Sequence, residues 1–171
     1  MLQVIIGNIV AFIGCMLMVY TGLIKEKKKI IFVQTIQIGL LIVSNVILGG
    51  ITGAIINSIS CIRNIICYRD KLGKKEKIIL VVISTVLSLY FNNLGIIGLL
   101  PLVSTVSYTL LMDMKDVIKF KILIIFTLIL WLVYDIYILS YSSAVFDFLN
   151  IITNLIAIYQ IKKLKRKIKI I

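Results

Sequence analysis

Residues 120–139 read FKILIIFTLILWLVYDIYIL, and this stretch decides the fold class of the chain. About 20 predominantly apolar residues are enough for one helix to cross the hydrocarbon core of a bilayer. The only charged side chains in the stretch are Lys121 near one end and Asp135 near the other. Similar apolar runs recur along the chain, in which hydrophobic residues make up 61%. The sequence therefore predicts an all-α integral membrane protein.

Seven apolar runs can be marked off by charge clusters and by Gly or Asn breaks. They cover approximately residues 2–24, 30–48, 52–68, 78–91, 96–112, 120–139 and 143–161. Every Lys and Arg except Arg63 falls in a cluster that follows the first, third, fifth or seventh run. Basic loops stay on the cytoplasmic side of a membrane. The pattern predicts about seven transmembrane helices, with the amino terminus outside and the carboxyl terminus in the cytoplasm.

The placement of charge and the residue types present narrow the function. The net charge of +12 is concentrated in the loop clusters, which favours contact with anionic lipid and not with nucleic acid. With no His and three Cys, neither a metal site nor a disulfide framework is expected. Cys15, Cys61 and Cys67 are interpreted as packing or lipid-facing residues. We expect no cofactor and, without a recognisable catalytic arrangement, no enzyme activity.

A shift of 90 residues aligns the first three runs with the last three without a gap. Polar positions then coincide, as in Asn45 with Asp135, Asn57 with Asp147, Ser60 with Asn150, and Asn64 with Asn154. Because one unpaired run lies between the halves, both halves enter the membrane in the same direction. This predicts two parallel three-helix repeats, residues 1–72 and 96–162. A linker helix at 73–95 would join them, and a basic cytoplasmic tail would follow at 163–171.

Several short motifs point to a known family. They are Leu48-Gly49 before the third run, Arg63 and Arg69 near its end, Leu99-Leu100-Pro101, Trp131 followed by Asp135 and Ser140, and Asn150 with Asn154. In these features the chain resembles the YgjV family of bacterial inner-membrane proteins, which implies a location in that membrane. The plan of three, one and three helices also resembles the SWEET sugar transporters and their PQ-loop relatives. That resemblance implies a central site near the pseudo-twofold axis, lined by Asn on the third helix of each repeat.

Two polar stripes are the main candidate site. Gly53, Asn57, Ser60 and Asn64 share one face of the third predicted helix, and Ser143, Asp147, Asn150 and Asn154 share one face of the last. Facing one another, the stripes would line a hydrated cavity that holds a polar solute. Alternatively, they would form hydrogen bonds that pack neighbouring helices together.

Asp135, Trp131 and Asn45 are further candidates, and Asp147 has a second possible role. Asp135 and Asp147 are acids within apolar runs, where a charged carboxylate costs roughly 2.5 kcal/mol or more. Protonation would lower that cost and permit proton coupling; otherwise both side chains reach water at the outer mouth. Trp131 either stacks on a solute ring or lies at the membrane interface. Asn45 belongs to a polar stripe of the second run that is expected to face the bundle interior.

Arg63 is the basic residue outside the loop clusters. It lies roughly 80° around the helix from the Asn57 stripe, which leaves open whether it faces the same cavity. It would bind a substrate anion or Asp147, or else extend toward the inner lipid headgroups.

The lead hypothesis is a carrier for a small polar solute, with its site between the third and seventh helices. One repeat would rock against the other to give alternating access. The alternative is a non-transporting receptor, assembly factor or regulatory protein with a packed polar core. The expected partners are membrane lipid and a small polar solute, and self-association into a homo-oligomer stays open.

Overall fold

A computed structural model describes residues 1–21, 27–69, 71–111, 114 and 116–168. It has eight helices, which are α1 (Leu2–Thr21), α2 (Lys27–Ile47), α3 (Ile51–Tyr68), α4 (Lys74–Tyr90), α5 (Gly95–Gly98), α6 (Leu100–Leu111), α7 (Val117–Tyr137) and α8 (Tyr141–Ile168). Within these ranges the chain forms no strand.

The helices are long and apolar enough for a bilayer. Among the described residues, four segments meet the length and hydropathy of a membrane span, namely Leu2–Tyr20, Ile51–Tyr68, Ile118–Tyr137 and Tyr141–Lys163. Two apolar helices, Ile31–Ile47 and Gly95–Leu111, are shorter. Large apolar side chains stay exposed on the outer helix faces, including Phe12, Val86 and Val145, where lipid is their natural solvent. The predicted all-α membrane fold is confirmed.

Six helices pack side by side in a closed ring. In order around the ring, the contacts join α1 to α2, α2 to α3, α3 to α6, α6 to α7, α7 to α8, and α8 back to α1. Helix α4 lies outside the ring against α3 and α6, and buries the face formed by Lys77, Leu80, Ser84 and Ser88. The short helix α5 contacts α6 and α7. The ring therefore encloses a central space that all six helices can line.

The offset of 90 residues recurs in the helix boundaries. Helix α2 ends at Ile47 and α7 ends at Tyr137, 90 residues apart. Helices α3 and α8 begin at Ile51 and Tyr141, again 90 residues apart. A half-turn of the ring exchanges α1, α2 and α3 with α6, α7 and α8. The ring thus has the helix order that two parallel three-helix repeats require.

The turns before α3 and α8 share one backbone geometry. In these two turns the residues with positive φ are Gly49 at 78° and Leu139 at 61°, which are 90 positions apart. In both turns the next amide donates a 2.8 Å hydrogen bond to a carbonyl five residues back, from Gly50 to Asn45 and from Ser140 to Asp135. This is the closure by which a helix commonly ends in a left-handed residue. Glycine suits that conformation, whereas leucine is strained in it.

Each of these turns accepts a hydrogen bond from an Asn in another part of the chain. Asn8 on α1 donates from Nδ2 to the Leu139 carbonyl at 2.8 Å and accepts from the Ser142 amide at 2.9 Å. Asn93, between α4 and α5, donates to the Gly49 carbonyl at 3.3 Å. These side chains satisfy backbone groups that the turns leave without a helical partner.

Two helices differ from their predicted extent. The predicted fifth run, 96–112, is divided because α5 ends at Gly98 and α6 begins at Leu100. Pro101 lacks an N–H and its ring clashes with the carbonyl four residues earlier, which explains the break. Helix α8 continues to Ile168, so basic residues of the predicted tail extend the helix. Met112, at the end of the fifth run, lies outside the described residues.

Candidate functional site

A cavity of about 330 Å³ lies inside the ring and is lined by all six ring helices. Most of its lining residues form pairs related by the 90-residue offset. The pairs are Cys15 with Thr105, Met18 with Tyr108, Gln37 with Thr127, Ile38 with Leu128, Leu41 with Trp131, Asn45 with Asp135, and Asn57 with Asp147. Positions paired by the offset in the two halves therefore face the same space, as the predicted repeats would require.

Seven of the ten predicted site residues line this central cavity. They are Asn45, Asn57, Ser60, Arg63, Trp131, Asp135 and Asp147. Asn45, Asn57, Ser60 and Asp135 are buried among the helices, each less than 10% exposed. The structure therefore brings together polar groups from α2, α3, α7 and α8 within a largely apolar bundle.

The other three predicted residues lie away from the central cavity. Asn64 lines a second cavity. Asn150 Nδ2 lies 3.7 Å from Met18 Sδ, between α8 and α1. Asn154 accepts a 3.2 Å hydrogen bond from Lys121 Nζ on α7 and donates to the Asn150 carbonyl. The α8 stripe thus divides by depth: Ser143 and Asp147, nearer the preceding turn, line the cavity, whereas Asn150 and Asn154 make helix-packing contacts.

A cluster beside the cavity joins α2, α3 and α7. Tyr134 is fully buried, and its Oη accepts a 2.9 Å hydrogen bond from the Gly53 amide in the first turn of α3. A Cβ at Gly53 would lie only 2.6 Å from Tyr134 Oη and 2.7 Å from Asn45 Oδ1, so the approach requires glycine. Asn45 Oδ1 is buried without a hydrogen-bond partner. We call Asn45, Gly53 and Tyr134 the turn-end cluster.

The second cavity, of about 340 Å³, adjoins the first. Met18, Gln37, Ile38, Arg63 and Tyr108 line both cavities. The second cavity also reaches residues close to the basic loops, Ile31 near the start of α2 and Cys67 near the end of α3. It therefore extends the central cavity toward the end of the bundle where α3 ends and α2 begins, which we call the basic end.

Arg63 lies at the junction of the two cavities. Its guanidinium carbon is 5.1 Å from the centre of the Tyr108 ring, a cation–π contact. It also donates long hydrogen bonds to Thr109 Oγ1 at 3.4 Å and to Asn64 Oδ1 at 3.5 Å. Of the described residues, no carboxylate forms an ion pair with it, so the predicted contact with Asp147 is not made. Its long side chain reaches the cavity despite the angle from the Asn57 stripe.

Several lining residues were not among the predicted site residues. Cys15 was interpreted as a packing or lipid-facing residue, yet it is 4% exposed and lines the cavity with Thr105. Gln37, Thr127 and Tyr108 were also omitted from the site. The offset was the signal that could have found them, because Gln37 and Thr127 are polar residues at equivalent positions.

The lining groups can recognise a solute through hydrogen bonds, charge and ring contacts. Amides and hydroxyls supply donors and acceptors, Asp135 and Asp147 supply carboxyl groups, and Trp131 supplies an aromatic face. In the part of the chain that the structure describes, no group of three metal-ligating side chains comes together.

Comparison with known proteins identifies the family. No curated protein and no solved structure matches the chain. The resemblance to the SWEET architecture therefore stays a prediction. A family model described as Imp-YgjV, bacterial inner membrane protein, matches residues 5–165, a range that covers most of every ring helix. The chain thus belongs to the Imp-YgjV family of bacterial inner membrane proteins.

Proposed function

We propose that this inner-membrane protein is a carrier for a small polar solute, which binds in the central cavity. The observation that carries the proposal is the set of offset-related residue pairs around one space of about 330 Å³. Carriers built from parallel repeats commonly bind substrate at the repeat interface, near the middle of the bilayer. A cavity on that interface is available to both repeats at once, so binding can be coupled to their relative motion.

Polar side chains in the cavity supply the proposed contacts. Asn57 and Ser60 on α3 are each 7% exposed, and Asp147 lies at the position equivalent to Asn57. Asn45 Oδ1 is a buried acceptor without a partner. A buried polar atom without a hydrogen bond is costly, and a donor on a bound solute would satisfy it.

The surroundings of the cavity support alternating access. At the basic end, Met18, Arg63 and Tyr108 lie between the central and second cavities. At the opposite end, near the turns that precede α3 and α8, the turn-end cluster joins both repeats through the Tyr134–Gly53 hydrogen bond. In the proposed cycle, rocking of the repeats opens one of these two regions while the other stays closed.

The competing function is a non-transporting membrane protein with a packed polar core. The contacts of Asn150 with Met18 and of Asn154 with Lys121 favour it, because both polar side chains serve helix packing. Under this alternative, the cavity binds no solute and its polar residues contribute only to stability.

A thermal-shift screen on detergent-purified protein tests the proposal. The screen uses sugars, nucleosides, amino acids, vitamins and organic acids, and compares Asn57→Ala in the cavity with Asn154→Ala outside it. A solute that binds only the folded state adds about 2.7 kcal/mol of stability at 100 times its Kd. We expect one solute class to raise the melting temperature of the wild type and of Asn154→Ala but not of Asn57→Ala. Equal shifts in both variants, or no shift with any solute, would reject the central site.

A further inference from the structure

We infer that the solute is a small zwitterion, which binds with its cationic group near Asp135 and Asp147 and its anionic group near Arg63. This inference rests on the proposed carrier function and names the class of substrate. It follows from how three charged side chains are distributed around the central cavity, all of which they line.

Each ionisable side chain of this set corresponds, at the 90-residue offset, to a neutral side chain in the other repeat. In the first repeat the equivalent positions of Asp135 and Asp147 carry the neutral amides Asn45 and Asn57. Conversely, Arg63 in the first repeat corresponds to Thr153 in the second. Among the described lining residues, carboxyl groups therefore come only from α7 and α8, and the cationic group only from α3. A bound zwitterion would thus contact both repeats.

The charges are also separated along the membrane normal. Arg63 lies six residues beyond Asn57 on α3, a helical rise of about 9 Å toward the basic end. Asp147 occupies the position equivalent to Asn57, and Asp135 is near the end of α7, close to the following turn. The cavity thus has an acidic region near the turns and a cationic region at its junction with the second cavity.

The three side chains have weak or no charge neutralisation from the protein. Among the described residues, neither Asp135 nor Asp147 forms an ion pair, and the hydrogen bonds of Arg63 are 3.4 and 3.5 Å long. Charged groups in a low-dielectric interior are stabilised by close opposite charges. A neutral sugar would leave the Arg63 guanidinium without an anion and would offer no cation to Asp135 or Asp147 in their carboxylate form. A singly charged solute would leave one region without a partner.

The walls between the two charged regions suit a short hydrocarbon spacer. Ile38, Leu41, Leu128 and Trp131 form two offset-related pairs on this lining. The volume of about 330 Å³ is within the range of small-molecule sites. Apolar walls between polar ends favour an amino acid, with an ammonium and a carboxylate group, over a polyol that carries hydroxyls along its length.

The test measures binding of zwitterions against probes of equal length that lack one or both charges. Glycine, 4-aminobutyrate and 6-aminohexanoate vary the spacer; hexanoate, hexylammonium and 1,6-hexanediol are the matched probes for the longest. We expect at least one zwitterion to bind wild-type protein about ten- to hundredfold more tightly than the single-charge or neutral probes. Equal or tighter binding of the diol, or of glucose and inositol as polyol controls, would overturn the inference.

Two substitutions separate the charge contacts from general loss of structure. Arg63→Gln is expected to weaken zwitterion binding about ten- to hundredfold while leaving hexylammonium binding unchanged. Arg63→Lys keeps the positive charge and is expected to retain most of the affinity for the zwitterion. Asp147→Asn should weaken hexylammonium and zwitterion binding but not hexanoate binding. Unchanged zwitterion affinity in Arg63→Gln contradicts the inference.

The failures of the two proposals are distinguishable. Binding of a neutral solute that is lost in Asn57→Ala rejects the zwitterion and keeps the carrier. Absence of binding by every zwitterion, polyol and screened solute rejects both.

Discussion

At the residue scale, Tyr134 replaces a missing helix cap. Helix α3 begins after Gly50, which has no side chain to accept from the amides of the first turn. Tyr134 on α7 provides that acceptor through its 2.9 Å hydrogen bond to Gly53. At the equivalent position in the second repeat, Ser140 lies before α8 and its hydroxyl is 3.0 Å from Ser143 Oγ. The starts of α3 and α8 are therefore stabilised by different side-chain hydrogen bonds.

Replacing Tyr134 by Phe tests this interaction. We expect Tyr134→Phe to lower the free energy of unfolding by about 1–3 kcal/mol, because the buried Gly53 amide loses its acceptor. Tyr137→Phe on the same helix is the matched control, since Tyr137 is 57% exposed. Thermal unfolding in detergent measures both variants. A melting temperature of Tyr134→Phe equal to that of Tyr137→Phe would show that the cap contributes nothing.

Sequence reasoning was most informative where a residue has an equivalent in the other repeat. Asn45, Asn57, Asp135 and Asp147 were predicted from the coincidence of polar positions, and all four line the cavity. The environment of the stripe residues nearer the basic end was harder to predict. The spacing of polar residues identifies a helix face but does not identify the helix that packs against that face. Asn150 shares the face of Asp147 yet meets the flexible thioether of Met18 at the α1–α8 contact.

At the element scale, the turns before α3 and α8 have the same backbone geometry but different residues, Gly49 and Leu139, at the position with positive φ. Gly49 and Leu139 both have positive φ, but only glycine adopts it without steric cost. The contact of Asn8 with the Leu139 carbonyl helps hold the strained turn before α8. The sequence marked the Gly49-Gly50 turn directly, whereas the geometry of Leu139 could not be expected from leucine's own preference.

Exchanging these residue types should change stability in opposite directions. Gly49→Ala is expected to destabilise the protein by about 1 kcal/mol, entirely from φ, because nothing lies within 4 Å of its Cβ position. Leu139→Gly removes a similar strain, and the greater freedom of glycine in the unfolded chain reduces the gain to a few tenths of a kcal/mol. Chemical unfolding of both variants checks the signs. Destabilisation by Leu139→Gly as large as that by Gly49→Ala would contradict equivalent turns.

Helix boundaries illustrate another limit of sequence reasoning. Charge clusters indicated where apolar runs end, but a charged residue at the membrane surface can continue a helix. Helix α8 does so through Lys162 and Lys163. Within the fifth run, the structure places a break between Gly98 and Leu100, just before Pro101. Composition thus located the helices better than it located their ends.

At the scale of the whole molecule, the arrangement of basic loops predicts the orientation. The clusters follow the first, third, fifth and seventh runs, which places the turns at Gly49 and Leu139 outside. Alkaline phosphatase fused after Asn93 should be active outside the cytoplasm, and fused after Lys75 inactive. A fluorescent protein fused after Ile171 should fluoresce in the cytoplasm. Activity after Lys75 together with inactivity after Asn93 would mean the reverse orientation.

The ring of six helices explains why one cavity contains residues from most of the chain. No pair of helices forms the site alone: α3 and α8, which carry the predicted stripes, lie on different sides of the ring from one another. The offset predicts two equivalent halves but does not predict the order of helices around the ring, because helix contacts depend on side-chain packing around each helix. Residues of α1 and α6, such as Cys15 and Thr105, line the cavity because the order of helices around the ring brings α1 and α6 next to it.

Accessibility of Cys15 is the most direct test of the central claim, that the cavity opens alternately to the two sides of the membrane. Cys61→Ala with Cys67→Ala leaves Cys15 as the remaining cysteine of three. Right-side-out and inverted vesicles are treated with a small membrane-impermeant thiol reagent. We predict that Cys15 reacts in both preparations and that a bound solute slows the reaction. Reaction only after unfolding, with none from either side, would contradict the carrier.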